Sequence, residues 1–378
     1  MMIKSLAIAK FFDGQTIKEN VKISFQNGKI VAIEAVIAAE LDDVRPGLIA
    51  PGYIDVQVNG GGGALFNAEP TVQTIAAIAQ AHAKFGTTGL LPTLITDDVK
   101  VMQQAADAIS AAIKENAAGV LGVHFEGPHL SIPKKGVHSP EFIRSISAAE
   151  MTVFTRQDLG IVVVTLAPEN ASVSDIKTLV DAGVHVCLGH SNADYQTVLN
   201  ALAAGATGFT HLFNAMSAFQ SREPGMVGAA LLDDNSWCGL IVDGHHVHYD
   251  ACKLAIKAKT NGKIILVTDA MPPVGTDDDS FPFFGSKIVR TGDRLNALTG
   301  ELAGSCLDMA SAVKNTVEKL NVELTEALRM AATYPAEFLN VENQLGRLQV
   351  GFNADFVILN DDLTVAETWI NGEQVYSL

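Results

Sequence analysis

An apolar run carries a carboxylate to its end in LGVHFEGPHLS (121–131). Leu121, Val123 and Phe125 lead to Glu126, which stands between His124 and His129 and directly before Gly127-Pro128. An ionised carboxylate at the end of a buried strand is costly unless a cation meets it. Three more residues of ligand or acid/base type sit in the same kind of setting. His190 closes an apolar run in LGHS, His211 lies within GFTHLFN, and Asp269 ends KIILVTDA. One Glu and two His make three protein ligands and leave a position for water, the pattern of a catalytic rather than a structural zinc site. An ion held this way lowers the pKa of its water towards about 7 and supplies hydroxide near neutral pH. Asp269 is then the natural acceptor of the water proton and its donor to a leaving group.

These side chains meet only if the ends of their strands meet. Eight short runs rich in Val and Ile read as strands: 52–58, 88–94, 119–126, 161–167, 184–190, 208–214, 238–244 and 263–270. Helical patterns lie between most of them, such as TVQTIAAIAQAHAKFG and YDACKLAIKAKTNG, and several end in Gly. Near-continuous apolar strands alternating with helices predict a parallel sheet covered on both faces. Eight such units predict an α/β fold of the (β/α)8 TIM-barrel type, with the chemistry at one mouth. A doubly wound open sheet is the alternative, but no GxGxxG follows the first strand; NGGGG (59–63) lacks that spacing. In the barrel Glu126 ends strand three, His190 strand five and Asp269 strand eight, while His211 lies in strand six. His138, in the loop after strand three, is within reach of a substrate, and at least one of His245, His246 and His248 should face the mouth.

Segments 1–47 and 347–378 instead alternate in the manner of exposed strands, with turn dipeptides Asp13-Gly14, Asn27-Gly28 and Asn371-Gly372. Neither is long enough for its own core, so they predict one small β-sandwich domain built from both termini, beside a barrel over 48–346. Residues 274–300 lack a helical period and read as a loop or hairpin insertion.

A net charge of −16 leaves no basic field for a nucleic acid or an anionic membrane. It leaves room for a small phosphorylated ligand held by a local cation. No apolar run approaches the ~20 residues that span a bilayer, and the N-terminus lacks the pattern of a secretory signal. The four cysteines have no CxxC spacing. A cytoplasmic protein is expected.

Taken together, PGYIDVQVNGGGG (51–63), HFEGPHLS (124–131), KGVHSP (135–140), LGHSNADY (188–195), THLFNAMS (210–217), DGHHVH (243–248), VTDAMPPVG (267–275) and LAGS (302–305) resemble the amidohydrolase superfamily. Within it they resemble the family of N-acetylglucosamine-6-phosphate deacetylases. The resemblance covers nearly the whole chain. It implies hydrolysis of the acetamide of N-acetylglucosamine-6-phosphate, in amino-sugar metabolism. Glu126, His190 and His211 are implied as metal ligands, Asp269 as the catalytic acid/base, and His138 as the residue that contacts the sugar and polarises the acetamide carbonyl. Val137, Asn214, Ala215, Arg222, His246, Leu302, Ala303 and Gly304 are implied as substrate contacts, with Arg222 and His246 at the 6-phosphate. In relatives a phosphate contact can come from a neighbouring subunit, so a homodimer is expected.

One departure is visible. Many amidohydrolases carry Asp-x-His-x-His at the end of strand one; here it is Asp55-Val56-Gln57-Val58-Asn59. Amides are poor transition-metal ligands beside imidazole, and no bridging Lys stands at the end of strand four, in TLAPE. One divalent ion per subunit is expected, Zn2+ first, with Fe2+, Co2+ or Mn2+ also acceptable to a Glu-His-His site. A cyclic amidase or deaminase on the same scaffold is the competing reading, but it gives no reason for Arg222 and His246. A non-catalytic scaffold protein gives no reason for the ligand-type residues at all.

Overall fold

The computed structural model describes residues 2–378. Eight parallel strands pair in chain order: Tyr53–Val58, Thr87–Ile95, Gly122–Glu126, Ile161–Leu166, His185–Leu188, Gly208–Phe209, Trp237–Leu240 and Ile264–Leu266. The first two and the third are buried along their whole length, as a sheet covered on both faces requires. The ladder closes into a barrel by a bridge between Val58 and Ala270. Two further bonds tie the ends, Asp269 N–H to the Gln57 carbonyl at 3.0 Å and Asn59 N–H to the Ala270 carbonyl at 2.9 Å. Inside this seam the fully buried Asp55 carboxylate accepts from the Thr268 hydroxyl at 2.5 Å.

The covering helices begin where short polar side chains satisfy their first N–H groups. Thr71 caps Val72–Ala83, Asp98 caps Val99–Lys114, and Ser172 with Asp175 forms a capping box on Val173–Asp181. Strand three, which delivers Glu126, lies so close to strand four that a Cβ on Gly122 would fall 1.9 Å from the Ile161 carbonyl oxygen. Gly122→Ala should therefore unseat the strand and lower the thermal midpoint by more than 10 °C. A calorimetric scan of the variant checks this, and an unchanged midpoint would mean that the strands can separate at no cost.

The terminal segments form one seven-stranded ladder. Its order is Glu373–Ser377, Val365–Ile370, Phe356–Leu359, Arg45–Pro51, Lys4–Phe12, Ile17–Gln26 and Lys29–Ala35. The ladder folds over itself, so Phe25 of one wing meets Phe356 and Trp369 of the other at ring-centroid distances of 5.6 and 5.5 Å. A core of its own, including Ile8, Phe11, Ile23, Ile49 and Phe356, fills this sandwich. The division expected at residue 47 falls inside the strand Arg45–Pro51, which pairs on both sides within the terminal ladder. The step into the barrel comes at Gly52. The insertion after strand eight is a three-stranded antiparallel sheet, Ser280–Phe283, Ser286–Thr291 and Arg294–Ala297.

Candidate active site

At the C-terminal mouth of the barrel lies a cavity of about 530 Å³, within the range of small-molecule sites. Glu126, the last residue of strand three, is at its floor. His190 lies two residues beyond strand five. His211 lies two residues beyond strand six, which stops at Phe209 instead of running through Asn214. The chain leaves the ladder there because it turns left-handed: φ is +34° at His211, +77° at Phe213 and +51° at Ala215. His190 (φ +47°) and Asp269 (φ +53°) share this unusual backbone. Strain of this kind is held in place by the surrounding fold and concentrates at functional sites.

Glu126 Oε1 lies 3.1 Å from His190 Nε2 and 3.0 Å from His211 Nε2, and the two Nε2 atoms are 2.9 Å apart. An ion about 2.0–2.1 Å from each ligand would set them about 3.0–3.4 Å apart. His190 Nδ1 is 2.8 Å from the Lys134 carbonyl and donates to it, which aims Nε2 at the other two groups, where it would offer its lone pair to an ion. Two imidazole nitrogens and a carboxylate aimed at one point suit a divalent cation. His138 brings a fourth such atom near, within 4.8 Å of those of Glu126 and His190. The tighter triangle is the one that includes His211. Burial alone would raise Glu126, but hydrogen bonds from His190 and His211 outweigh it and hold the carboxyl well below its usual range. Burial opposes charge on His211, and Glu126 overcomes it and pushes that imidazole up.

Asp269 is held by Gln57 and Asn59, the two amides that depart from the Asp-x-His-x-His pattern at the end of strand one. Asn59 Nδ2 donates to its Oδ1 at 2.6 Å and Gln57 Nε2 at 3.2 Å, and Gln57 Nε2 also lies 3.1 Å from Glu126 Oε2. Removal from bulk water, with the Glu126 charge adding to it, pushes Asp269 up to about 6. His138 Nδ1 is 2.8 Å from the Thr96 hydroxyl, and burial together with the His190 ring pushes it down to about 3, so its imidazole is neutral. His246 Nδ1 is 2.6 Å from Asp243 Oδ2, which turns its other edge towards the cavity.

Of the substrate contacts expected from sequence, Val137, His138, Asn214, Ala215, His246, Leu302 and Gly304 line the cavity. Ala303 is fully buried behind it. Arg222 is exposed and outside the lining of its own chain's cavity. Lys134 and Lys135, from the loop after strand three, line it as well, and so does Phe283, which nothing in the sequence placed there. Gln57 and Asn59 carried a signal, since Asp55, Gln57 and Asn59 share one face of strand one.

A barrel mouth that gathers a three-ligand donor set and a raised carboxyl defines a hydrolase whose site suits a divalent ion. Residues 48–375 match the amidohydrolase family, and the chain belongs to it. The N-acetylgalactosamine-6-phosphate deacetylase of Shewanella sp. (strain ANA-3) is 48% identical over 374 residues, covering 97% of this chain and 95% of that protein. The N-acetylglucosamine-6-phosphate deacetylase of Haemophilus influenzae is 37% identical, covering 92% and 93%. The crystal structure of N-acetylglucosamine-6-phosphate deacetylase from Pasteurella multocida superposes with a TM-score of 0.94 at 35% identity, covering 99% of this chain and all of that one.

Proposed function

We propose that this chain removes the acetyl group of N-acetylglucosamine-6-phosphate, giving acetate and glucosamine-6-phosphate. The observation that carries this reading is the convergence of Glu126, His190 and His211 beside Asp269 in one cavity. A bound divalent ion, Zn2+ in first place, would acidify a water and polarise the acetyl carbonyl. Glu126, His190 and His211 would hold it. Asp269, anchored by Asn59 and Gln57, takes the proton of the attacking water and returns it to the nitrogen as the C–N bond breaks. His138 donates Nε2–H to the acetamide oxygen when the Thr96 hydroxyl donates to its Nδ1. His246, steadied by Asp243, turns towards the 6-phosphate. The chain so divides into a catalytic barrel and a supporting domain made of both termini.

A second reading is favoured by the 48% identity to the galactosamine enzyme: the C4 epimer, N-acetylgalactosamine-6-phosphate, as preferred substrate. Acetate release from both epimers, before and after chelation, tests the two together. Chelation should abolish release and added Zn2+ restore it. No release from either phosphosugar would overturn both readings.

The exposed position of Arg222 supports a homodimer in which each copy lends this cation to the other's phosphate. Phe219, Leu232 and Leu254, each more than 60% exposed, stand on the neighbouring segments and offer apolar surface for the contact. Arg222→Ala should raise KM for the phosphosugar about 10- to 100-fold, the size of a lost hydrogen bond to a charged group. Turnover of unphosphorylated N-acetylhexosamine should be unchanged, and equal losses on both substrates would remove Arg222 from the phosphate. Light scattering on the native protein reports the dimer. All four thiols are free and no helix among the described residues is long and apolar enough to cross a membrane, in keeping with a cytoplasmic setting.

A further inference from the structure

Beneath the active-site cavity, in the bore of the barrel, lies a second cavity of about 20 Å³, room for one water molecule. Its wall includes His124, Cys187, Thr210, His211, Gly239 and Phe338. His211 therefore borders both cavities. Its Nε2 faces Glu126 and His190; given to an ion there, that nitrogen would carry no proton and Nδ1 would hold the ring's N–H. That Nδ1 is buried and has no hydrogen-bond partner among the described residues. Ligating histidines nearly always give this second N–H to an acceptor, as His190 does to Lys134.

The proton count along the bore says what can accept it. His124 Nδ1 lies 2.9 Å from the Val56 carbonyl, which can only accept, so Nδ1 donates. His124 is buried and its ring bonds to no carboxylate among the described residues, so it is held as the neutral imidazole and its Nε2 accepts. The Thr165 hydroxyl, 2.7 Å away, donates to that Nε2. With its proton used, Thr165 Oγ1 accepts from the Thr210 hydroxyl at 2.6 Å. Thr210 Oγ1 is thus left as an acceptor at the cavity wall, with only the weakly donating Cys187 thiol near it.

We propose that one water molecule occupies the bore cavity, accepting from His211 Nδ1–H and donating to Thr210 Oγ1, and so serves as the outer partner that fixes the tautomer of this metal ligand. The proposal rests on the reading of His211 as a ligand. Thr210 acts through His211 and is a positioning residue.

The test uses the full chain with Zn2+ as the only added metal. A crystal structure of the unaltered protein at about 1.5 Å should show a solvent peak within hydrogen-bond distance of both atoms. In chelator competition Thr210→Val, which keeps the shape and removes the hydroxyl, should weaken Zn2+ binding about 10-fold or more. Thr210→Ser, which restores the hydroxyl, should recover nearly all of it. A dry bore, or Thr210→Val binding Zn2+ as tightly as the unaltered protein, overturns the proposal. Should Thr210→Val fail to fold, the crystallographic result decides alone. Failure of the unaltered protein to bind Zn2+ would instead overturn the metal reading beneath it.

Discussion

Asp269→Asn should lose about 10²–10⁴ of kcat, the usual contribution of a positioned acid/base, while keeping its metal. The side chain's hydrogen bonds come from Asn59 and Gln57, so an amide of the same shape can stay between them. It cannot take a proton from water. The same residue sets the acidic limb of the unaltered enzyme. Asp269 must be ionised to act as base, and its carboxyl is pushed up to about 6 by removal from bulk water, then by the charge of Glu126. Activity should be full above that pH and fall about tenfold per unit below it. A kcat/KM profile, with zinc content measured at each pH, checks both statements. A variant within tenfold of the unaltered kcat would take the acid/base role away from Asp269.

Glu126→Gln should empty the site and reduce turnover to background. The carboxylate is the only anion in the ligand triangle, and both Nε2 atoms approach the same oxygen. An amide replaces that anion with a weak neutral ligand. Loss of mere outer partners costs 10–100-fold in metal affinity, so loss of this ligand should cost more than about 100-fold. The fold should survive, because Gln fills the same volume beside Gln57. Metal analysis after purification, with a thermal midpoint as control, gives the answer. Stoichiometric zinc in a folded variant would remove Glu126 from the ligand set.

The barrel was legible because each strand is buried on both faces, and burial writes itself into sequence as unbroken apolar runs. The same signal misled at strand six. GFTHLFN is apolar enough for a seven-residue strand, yet the strand ends at Phe209 and the chain turns left-handed at His211. Apolar character reports burial and carries no record of backbone direction. The convergence of Glu126, His190 and His211 was legible, because charged or basic groups at apolar strand ends are costly without a reason. The supporting groups were harder to see. Thr96, Thr210, Gln57 and Asn59 are neutral, and what distinguishes them is the partner each meets across the barrel. Arg222 could be read as a cation for phosphate, but its exposed place outside the lining of its own chain's cavity left no mark on the sequence pattern.

The terminal ladder bears on how the protein is made. Strand Arg45–Pro51 sits between Lys4–Phe12 and Phe356–Leu359, so a ribosome must synthesise some 300 further residues before the first strands can find their last partners. At about 5–20 residues per second the emerging N-terminal hairpin spends tens of seconds with an open edge. The barrel can assemble during that wait, and the terminal ladder then locks behind it, a clasp fastened once Phe356–Leu359 has emerged.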